Sequence, residues 1–438
     1  KEDVRMDEKE YLQTLGEQIV NPHARASVLA EIQDHIEEQA QDYRASGMSE
    51  AVAMQEAVRQ MGDPVSTGEA LNQVHRPKFP IALFGLAVVL TVLGIAMQYL
   101  VYTHLTPDTA ILSDTYLQRT ILYNAIGLGL LLLCIFGNYM YLAKGAWILL
   151  AIFLLGLLPP WFFGFYGRQY TLCYYLALVY PLVYALLLYR LRDKGAKAIW
   201  FLHGLTLLFL VRMLFGTIIT WSTVLAAGCL TLLLLCLAIH RGILTGSSKR
   251  TLWLLTVLPY VAAAACFVIL FFQNSYMRDR LTEFLKGSGY VQQMLALEQQ
   301  QMLVFGGGTI SSYVDTESLA STYVLHSIFL WFGIVSGILV IVALAVLVLR
   351  SLHYALHQSN RLALLAGTAA SGILLFELLH FVLTNLGCSP VYTASVPFLS
   401  YGFANSVFNS LLVGITLGVI RNQNVLSETT ASLRGLRA

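Results

Sequence analysis

Long apolar runs, almost free of charged residues, follow one another along most of this chain. The runs at 81–102, 121–142 and 335–349 each approach the roughly 20 apolar residues that a helix needs to cross a bilayer. They lack the alternation of a membrane β-strand, and only helices or closed barrels satisfy their backbone in lipid. The pattern therefore predicts an all-α polytopic membrane protein with about ten transmembrane helices. The predicted spans are 79–102, 118–142, 145–165, 171–190, 197–215, 217–239, 252–272, 323–349, 362–385 and 403–420.

The first 78 residues have a different, amphipathic pattern. Asn21 and Pro22 form a favourable helix start, and apolar residues then recur at helical spacing until Gly47. A second amphipathic stretch ends at Gly62, so three or four short helices are expected before the first span. The predicted domains are a small helical domain at 1–78, a membrane domain at 79–420 and a tail at 421–438.

Charge divides the chain at the same place. Residues 1–78 hold 8 Lys/Arg and 15 Asp/Glu, whereas residues 79–438 hold 19 and 10. The whole chain is 57% hydrophobic and 12% charged, which excludes an ordinary soluble protein and predicts membrane lipid as its surroundings. No basic, aromatic-interleaved surface indicates nucleic acid as a partner. The six cysteines form no Cys-x-x-Cys pair and are interpreted as core residues.

Basic residues predict the orientation in the membrane. With the N-terminal domain in the cytoplasm, ten spans leave both termini and 13 of the 19 basic residues of 79–438 on that side. The same orientation leaves one long loop outside, at 273–322. This loop is too long for a simple connection, so we expect it to be functional.

Four short motifs follow one another in the second half of the membrane domain. The outer loop carries Arg278–Leu285, Gly287–Gln292 and Phe305–Gly308, and Val396–Gly402 (VPFLSYG) lies just before the last span. With them, the membrane domain resembles the SEDS family, the FtsW/RodA/SpoVE group of cell-division and cell-shape proteins. The resemblance implies a SEDS-like fold in a bacterial cell membrane. It also implies peptidoglycan glycosyltransferase activity on the lipid-linked precursor lipid II.

Residues 1–78 resemble a different group. The segments Glu31–Tyr43 and Met61–Pro64, with Gly47 between them, are similar to a helical prefix domain of some permease-like membrane proteins. Those proteins occur in Gram-positive bacteria. The resemblance implies a Gram-positive source and a cytoplasmic domain placed ahead of the membrane domain.

At several positions where the SEDS family has polar residues for its chemistry, this chain has apolar or aromatic ones. Glycan polymerisation needs a carboxylate base and cationic or metal assistance to the departing pyrophosphate. By resemblance, an essential aspartate is expected at Tyr323, and further polar groups at Val183 and Leu214. Asp315 and Glu317 lie in the same loop and are candidate substitutes for the catalytic carboxylate, or else solvated loop acids. Enzyme activity thus stays open, and a divalent cation is expected only if the chain is catalytic.

The outer loop and the last motif supply the candidate binding residues. Arg278 and Arg280 suit a pyrophosphate, because guanidinium groups bind it as charged forks, but they also suit an anchor at the bilayer surface. Pro397, Ser400 and Tyr401 are expected to shape the wall of the same cleft.

Three of the ionisable residues inside predicted spans are candidate intramembrane polar groups. Glu377 and His380 are one turn apart in the ninth span, and Arg212 lies in the fifth. Such residues are costly in lipid and are typical of functional sites, while the alternative is a buried polar contact between helices. Glu-x-x-His resembles half of a di-iron site, but no second copy occurs, so no metal is predicted there.

Three functions remain open from the sequence. The first is a SEDS-type protein that acts on or binds lipid II in cell wall synthesis, division or shape. The second is a non-catalytic member that senses or regulates a membrane partner, such as a single-pass transpeptidase-type protein. The third is a transporter of a lipid-linked or small substrate, which the ten-helix pattern and the pair Glu377 and His380 favour.

Overall fold

The computed structural model describes residues 6–74, 76–105, 115–158, 169–214, 221–307, 316–390 and 395–423. These residues are largely helical, and no strand occurs among them, so the prediction of an all-α protein is confirmed. They form two compact units. The second unit comprises the described residues of 80–357 and 362–419, and the first holds the other described residues, including those before Pro80.

The first unit contains four helices, in agreement with the three or four predicted. Asn21 and Pro22 do begin a helix, and Gly47, at φ 97°, follows its end. The helices are α1 (Glu8–Gln18), α2 (Pro22–Ala45), α3 (Glu50–Gln60) and α4 (Pro64–Val74). Their core consists of Tyr11, Leu15, Ile19, Ala24, Val28, Ile36, Ala40, Ala57 and Val58.

The second unit contains the apolar helices together with the helices of the loop at 273–322, which is called the outer loop after its predicted orientation. In chain order they are α5 (Ile81–Leu105), α6 (Tyr116–Phe136), α7 (Met140–Lys144), α8 (Ala146–Gly156), α9 (Gln169–Arg190), α10 (Ala196–Leu214), α11 (Trp221–His240), α12 (Lys249–Gln273), α13 (Ser275–Leu285), α14 (Tyr290–Gln299), α15 (Thr316–Ser321), α16 (Val324–Phe332), α17 (Ile334–Leu356), α18 (Arg361–Asn385) and α19 (Phe403–Arg421).

Nine helices of the described chain are long and apolar enough to cross a membrane. They correspond to every predicted span except the third. At 145–165 the described part contains only α8, an apolar helix of 11 residues, and residues 159–165 lie outside the described ranges. The predicted tail at 421–438 is described only as far as residue 423.

One predicted span, 323–349, is wrong as a continuous helix. Gly333 has a φ of 89° and separates α16 from α17. The amide of Ile334 donates to the carbonyl of Leu303 at 2.9 Å instead of continuing the helix. A Cβ atom at position 333 would lie 2.7 Å from the carbonyl oxygen of Val304, so this backbone path requires glycine.

Candidate functional site

The two candidate arginines of the outer loop have different surroundings. Both lie on α13, which Asn274 caps by accepting a hydrogen bond from the amide of Met277. Arg280 donates from Nε to the hydroxyl of Tyr276 at 3.0 Å and from Nη1 to the carbonyl of Pro390 at 3.4 Å. Arg278 is exposed, and its guanidinium has no hydrogen bond or ion pair with the described residues. Arg280 thus holds the loop in place while Arg278 is accessible.

The motif before the last helix is a buried, strained turn. Phe398 has a φ of 69°, a left-handed conformation that is costly for a bulky residue. The Oγ of Ser400 accepts from the amide of Val396 at 3.1 Å. Asn405 then donates to the carbonyls of Ser400, at 2.9 Å, and Val396, at 3.3 Å. Ser400 therefore stabilises the turn from within, as does the buried Pro397.

Gln98, buried on α5, joins this turn to the outer loop. Its amide donates to the carbonyl of Ala320 at 2.7 Å and to that of Leu399 at 2.8 Å, and its carbonyl accepts from the hydroxyl of Tyr116. The amide of Tyr401 also donates to Ala320, at 3.1 Å. The rings of Tyr116 and Tyr401 stack with their centroids 4.5 Å apart. These contacts place Tyr401 beside Ala320 of the loop, and the shared cleft stays a prediction.

The sequence does not predict a buried ionisable pair that joins the loop to α16. Glu298 Oε2 and His326 Nε2 lie 2.8 Å apart, and their side chains are 1% and 0% exposed. Asn385 accepts from the amide of His326 at 2.9 Å and donates to the carbonyls of Thr322 and Phe381. The pair and Asn385 therefore tie α14 and α16 to the end of α18. The only sequence signal was a histidine inside the apolar segment of α16.

Two of the three positions expected to carry polar catalytic groups, Tyr323 and Val183, are buried. Tyr323 is 5% exposed and packs with Leu295 and Leu319. Val183 is buried on α9, whose Tyr180 stacks on Phe209 with ring centroids 4.4 Å apart. The side chain of Leu214 lies outside the described part of the chain.

The candidate substitute carboxylates remain predictions. Asp315 lies outside the described residues, and Glu317 is the second residue of α15 but its side chain is not described. No group of three or more His, Cys, Asp or Glu side chains that would hold a metal ion occurs within the described ranges.

The intramembrane ionisable residues are not brought into one cluster. Glu377 and His380 lie on α18, where His380 stacks on Phe376 with ring centroids 5.4 Å apart. Glu377 accepts a long hydrogen bond from Ser395, at 3.5 Å. Arg212, on α10, donates instead to the carbonyl of Leu157 at 2.7 Å. This hydrogen bond from Arg212 to Leu157 is the kind of buried polar contact that is the alternative to a functional role.

The first unit contains a cleft of its own, of about 440 Å³. Its wall includes Tyr11, whose hydroxyl donates to the carbonyl of Met61 at 3.1 Å. Burial raises the pKa of this phenol above its ordinary value. The exposed Asp63 accepts from the amide of Ser66 at 2.9 Å, and that hydrogen bond lowers the pKa of its carboxyl group. The cleft therefore combines apolar and polar lining residues with a protonated phenol and an ionised carboxylate at neutral pH.

Comparisons with known proteins give one family match near the start of the chain and structural matches over most of it. A family model described as HAAS matches residues 10–66. A search of curated proteins finds no match. Among solved structures, one match is a chain of a peptidoglycan synthase complex that is described as coordinating polymerization and crosslinking. Its TM-score is 0.55 and its identity to this chain is 18%. The match covers 79% of this chain and 98% of that chain.

The chain shares the fold of that synthase subunit. A mutant of the rod shape determining protein RodA of Thermus thermophilus is also similar, at 17% identity over 79% of this chain and 98% of that chain. Its TM-score of 0.44 is too low to support a conclusion. The synthase-like fold agrees with the predicted SEDS-like polytopic architecture, while the low identity leaves activity to be argued from the residues.

Proposed function

We propose that this chain is a divergent SEDS-type protein of the bacterial cell envelope that binds a lipid-linked peptidoglycan precursor without polymerising it. The observation that carries the proposal is the fold shared with a peptidoglycan synthase chain along 98% of that chain. Fold alone does not determine chemistry, so the proposal rests further on the outer-loop arginines and on the replaced catalytic positions.

Arg278 is the proposed anchor of the precursor's pyrophosphate. It is exposed on α13, and its guanidinium is not engaged by any described side chain or carbonyl. A planar guanidinium binds phosphate oxygens bidentately, which makes arginine well suited to a lipid pyrophosphate. In this proposal Arg280 acts indirectly, because its bond to Pro390 orients the helix that presents Arg278.

The proposal leaves polymerisation out because no carboxylate stands where the family's aspartate is expected, and it assigns no catalytic role to the candidate substitutes Asp315 and Glu317. Tyr323 occupies that position and is buried among leucines. A general base must reach the proton that it removes, directly or through one water molecule. The pair Glu298 and His326 does not meet this condition, since both side chains are closed off from solvent and bonded to each other.

A binding protein of this kind is expected to act in cell wall synthesis, division or shape, together with a membrane partner. The similar synthase chain is described as part of a complex that coordinates polymerization with crosslinking. We propose a single-pass transpeptidase-type or other regulatory membrane protein as the partner here. The N-terminal domain and the tail are proposed to lie in the cytoplasm, with the loop at 273–322 outside.

Binding of labelled lipid II to the purified full-length chain tests the proposal. The Arg278→Ala change removes charge-assisted bonds that contribute on the order of 1.5 kcal/mol, so affinity should fall about tenfold. Lys286→Ala is the matched control, because it removes an exposed cation from the end of the same helix. A folded Arg278→Ala protein that binds as tightly as the unchanged chain would rule out this anchor.

A further inference from the structure

The proline at position 259 leaves one carbonyl of α12 without its usual donor. Pro259 lies inside this helix, and proline has no amide hydrogen, so it cannot bond to the carbonyl of Leu255, four residues earlier. In lipid a carbonyl of this kind is costly unless a neighbouring helix or side chain supplies a donor. Only 6% of the most apolar stretch of α12 is buried in the protein, so the donor has to come from the narrow side that packs on other helices.

His203, on α10, is that donor. Its Nε2 lies 2.8 Å from the carbonyl oxygen of Leu255. A carbonyl oxygen only accepts hydrogen bonds, so the proton of this bond is on Nε2. The same imidazole packs edge-on against the ring of Tyr260, with centroids 5.8 Å apart and an interplanar angle of 66°. His203 therefore contacts α12 on both sides of Pro259, through a hydrogen bond before the proline and an aromatic contact after it.

A second polar bond reaches α12 at the same level from α11. The hydroxyl of Tyr260 donates to Oγ1 of Thr231 at 3.0 Å, and that hydroxyl donates in turn to the carbonyl of Ala227 at 2.9 Å. Positions 255 and 260 are separated by only about one and a half helical turns. The bonds from α10 and α11 thus hold α12 directly around its proline.

The part of α12 that follows the proline has little other support. Every residue of α12 is described, and none beyond Pro259 is buried, whereas Leu252 and Thr256 before it are. The stretch from Pro259 to Gln273 rises by about 21 Å, so a change of about 15° in the kink would displace its far end by about 5 Å. The direction of this stretch is therefore determined mainly at the proline.

This direction matters because α12 leads straight into the helix that carries Arg278. Asn274 alone separates α12 from α13, and it caps α13 through the amide of Met277. Arg280 holds α13 to the carbonyl of Pro390 through a hydrogen bond of 3.4 Å. The orientation of α12 is a further constraint on the place of α13, and hence on that of Arg278.

We propose that His203 is a positioning residue that fixes the kink of α12 at Pro259 and thereby places Arg278 for the anionic headgroup of its lipid ligand. His203 acts only through the carbonyl of Leu255 and the ring of Tyr260, and does not itself contact the ligand. The consequence for binding rests on the function proposed above for Arg278. The control of the position of α13 by His203 does not depend on that function.

A distance between two spin labels in the full-length chain tests the geometry without a ligand. The labels are attached at Glu283→Cys on α13 and at Leu386→Cys just after α18, both exposed positions, with the six native cysteines replaced by alanine. His203→Leu should shift or broaden the distance distribution by about 5 Å, as measured by pulsed electron paramagnetic resonance. His203→Gln, which keeps a donor nitrogen of similar reach, should retain the original distribution.

Pro259→Ala makes the test specific for the freed carbonyl. It restores an amide that can bond to Leu255, so His203→Leu should have no further effect on the distance in a Pro259→Ala chain. His240→Leu is the matched control, because it makes the same change at an exposed histidine at the end of α11 and should leave the distance unchanged. His203→Asn, whose amide is too short to reach the carbonyl, replaces His203→Leu if the latter does not fold.

Two results of the distance measurement would overturn the proposal. One is an unchanged distribution in the folded His203 variants that lack the donor. The other is an equal change with and without Pro259→Ala, as expected if His203 only fills space between helices.

Binding of labelled lipid II tests the consequence for the ligand. His203→Leu should weaken binding by up to about tenfold, the loss expected for Arg278→Ala, and should weaken it no further in an Arg278→Ala chain, because His203 acts through that arginine. An equal loss with and without Arg278→Ala would overturn this role. A chain that binds no lipid II at all contradicts the proposed function, while the distance measurement still decides whether His203 positions α13.

Discussion

Helices α12 and α18 have the same length and similar apolar character, yet they occupy opposite environments. Each has 25 residues and qualifies as a membrane span. Only 6% of the most apolar stretch of α12 is buried in the protein, against 78% of that of α18. Lipid and protein interior are both apolar, so hydropathy does not separate the two environments. The comparison shows that the polar residues of a span, more than its hydropathy, indicate where it lies.

The polar content of the two helices follows this division. The buried helix α18 contains Glu377, His380 and Asn385, all with less than a tenth of their surface exposed. Each is tolerated because neighbouring helices and loops surround it, as intramembrane polar residues generally require. In α12 the buried polar residue is Thr256, whose hydroxyl is satisfied by the carbonyl of Leu252 within the same helix. Of these two spans, α18 therefore carries the buried ionisable residues.

The largest expected effect concerns α5, which has one surface packed against protein and another that is open. In α5, a Cβ atom on Gly94 would overlap the carbonyl of Phe398 in the strained turn, whereas one on Gly85 would meet nothing within 4 Å. Gly94→Leu should therefore cost more than about 4 kcal/mol and prevent folding, because a backbone carbonyl cannot move aside as a flexible side chain can. Gly85→Leu should fold normally. The yield of monodisperse protein in detergent measures both variants, and a well-folded Gly94→Leu protein would contradict the described packing.

A second prediction applies the same chemical change to the two compared helices. Leu374 on α18 is 0% exposed, and Leu258 on α12 is 73% exposed. Leu374→Ala should destabilise the chain by about 2 kcal/mol or more, because it leaves a cavity between packed helices. Leu258→Ala should change stability by less than about 0.5 kcal/mol. Thermal unfolding of the two variants in one detergent compares them directly, and equal effects would remove the distinction between core and peripheral helices.

The smallest expected effect lies outside the membrane domain. Asp63 precedes Pro64 at the start of α4, and its pKa is lowered by the hydrogen bond from the amide of Ser66. Its ionised form thus stabilises the helix above the unfolded pKa of about 3.9, and this contribution is lost as pH falls through the lower folded pKa. Asp63→Asn should reduce amide protection in α4 slightly at pH 6, and the difference should vanish in strong acid.

Hydrogen exchange of the α4 amides in the full-length chain measures this effect. Glu69→Gln, an exposed change on the same helix without a capping bond, serves as the control. A difference between the Asp63→Asn protein and the unchanged chain that grows with acidity would contradict the assigned cap.

The spans were largely predictable from the sequence because apolar length is a strong signal. The prediction 362–385 differs from α18 by one residue at its start, and 252–272 lies within α12. The error at 323–349 has a local cause. Gly333 lies in an apolar run, and only the approach of the loop at Val304, about 30 positions earlier, reveals why the helix must break there.

The candidate site was only partly predictable because its contacts join distant positions. The arginine pair and the Pro397–Gly402 turn were found from motifs, but the separate surroundings of Arg278 and Arg280 were not. Gln98 bonds to carbonyls 222 and 301 residues away, and Glu298 pairs with His326 across 28 residues. No periodicity or spacing in a single sequence reports such partners.

The most direct test of the central claim follows one labelled lipid II preparation through binding and turnover by the same purified full-length chain. The account predicts saturable binding with no glycan product, with or without divalent cation, because Tyr323 stands where the family's base is expected. Losing such a base commonly lowers the rate by about 10² to 10⁴-fold. Glycan chains at the rate of an active synthase would contradict the account, as would a folded chain that binds no lipid II.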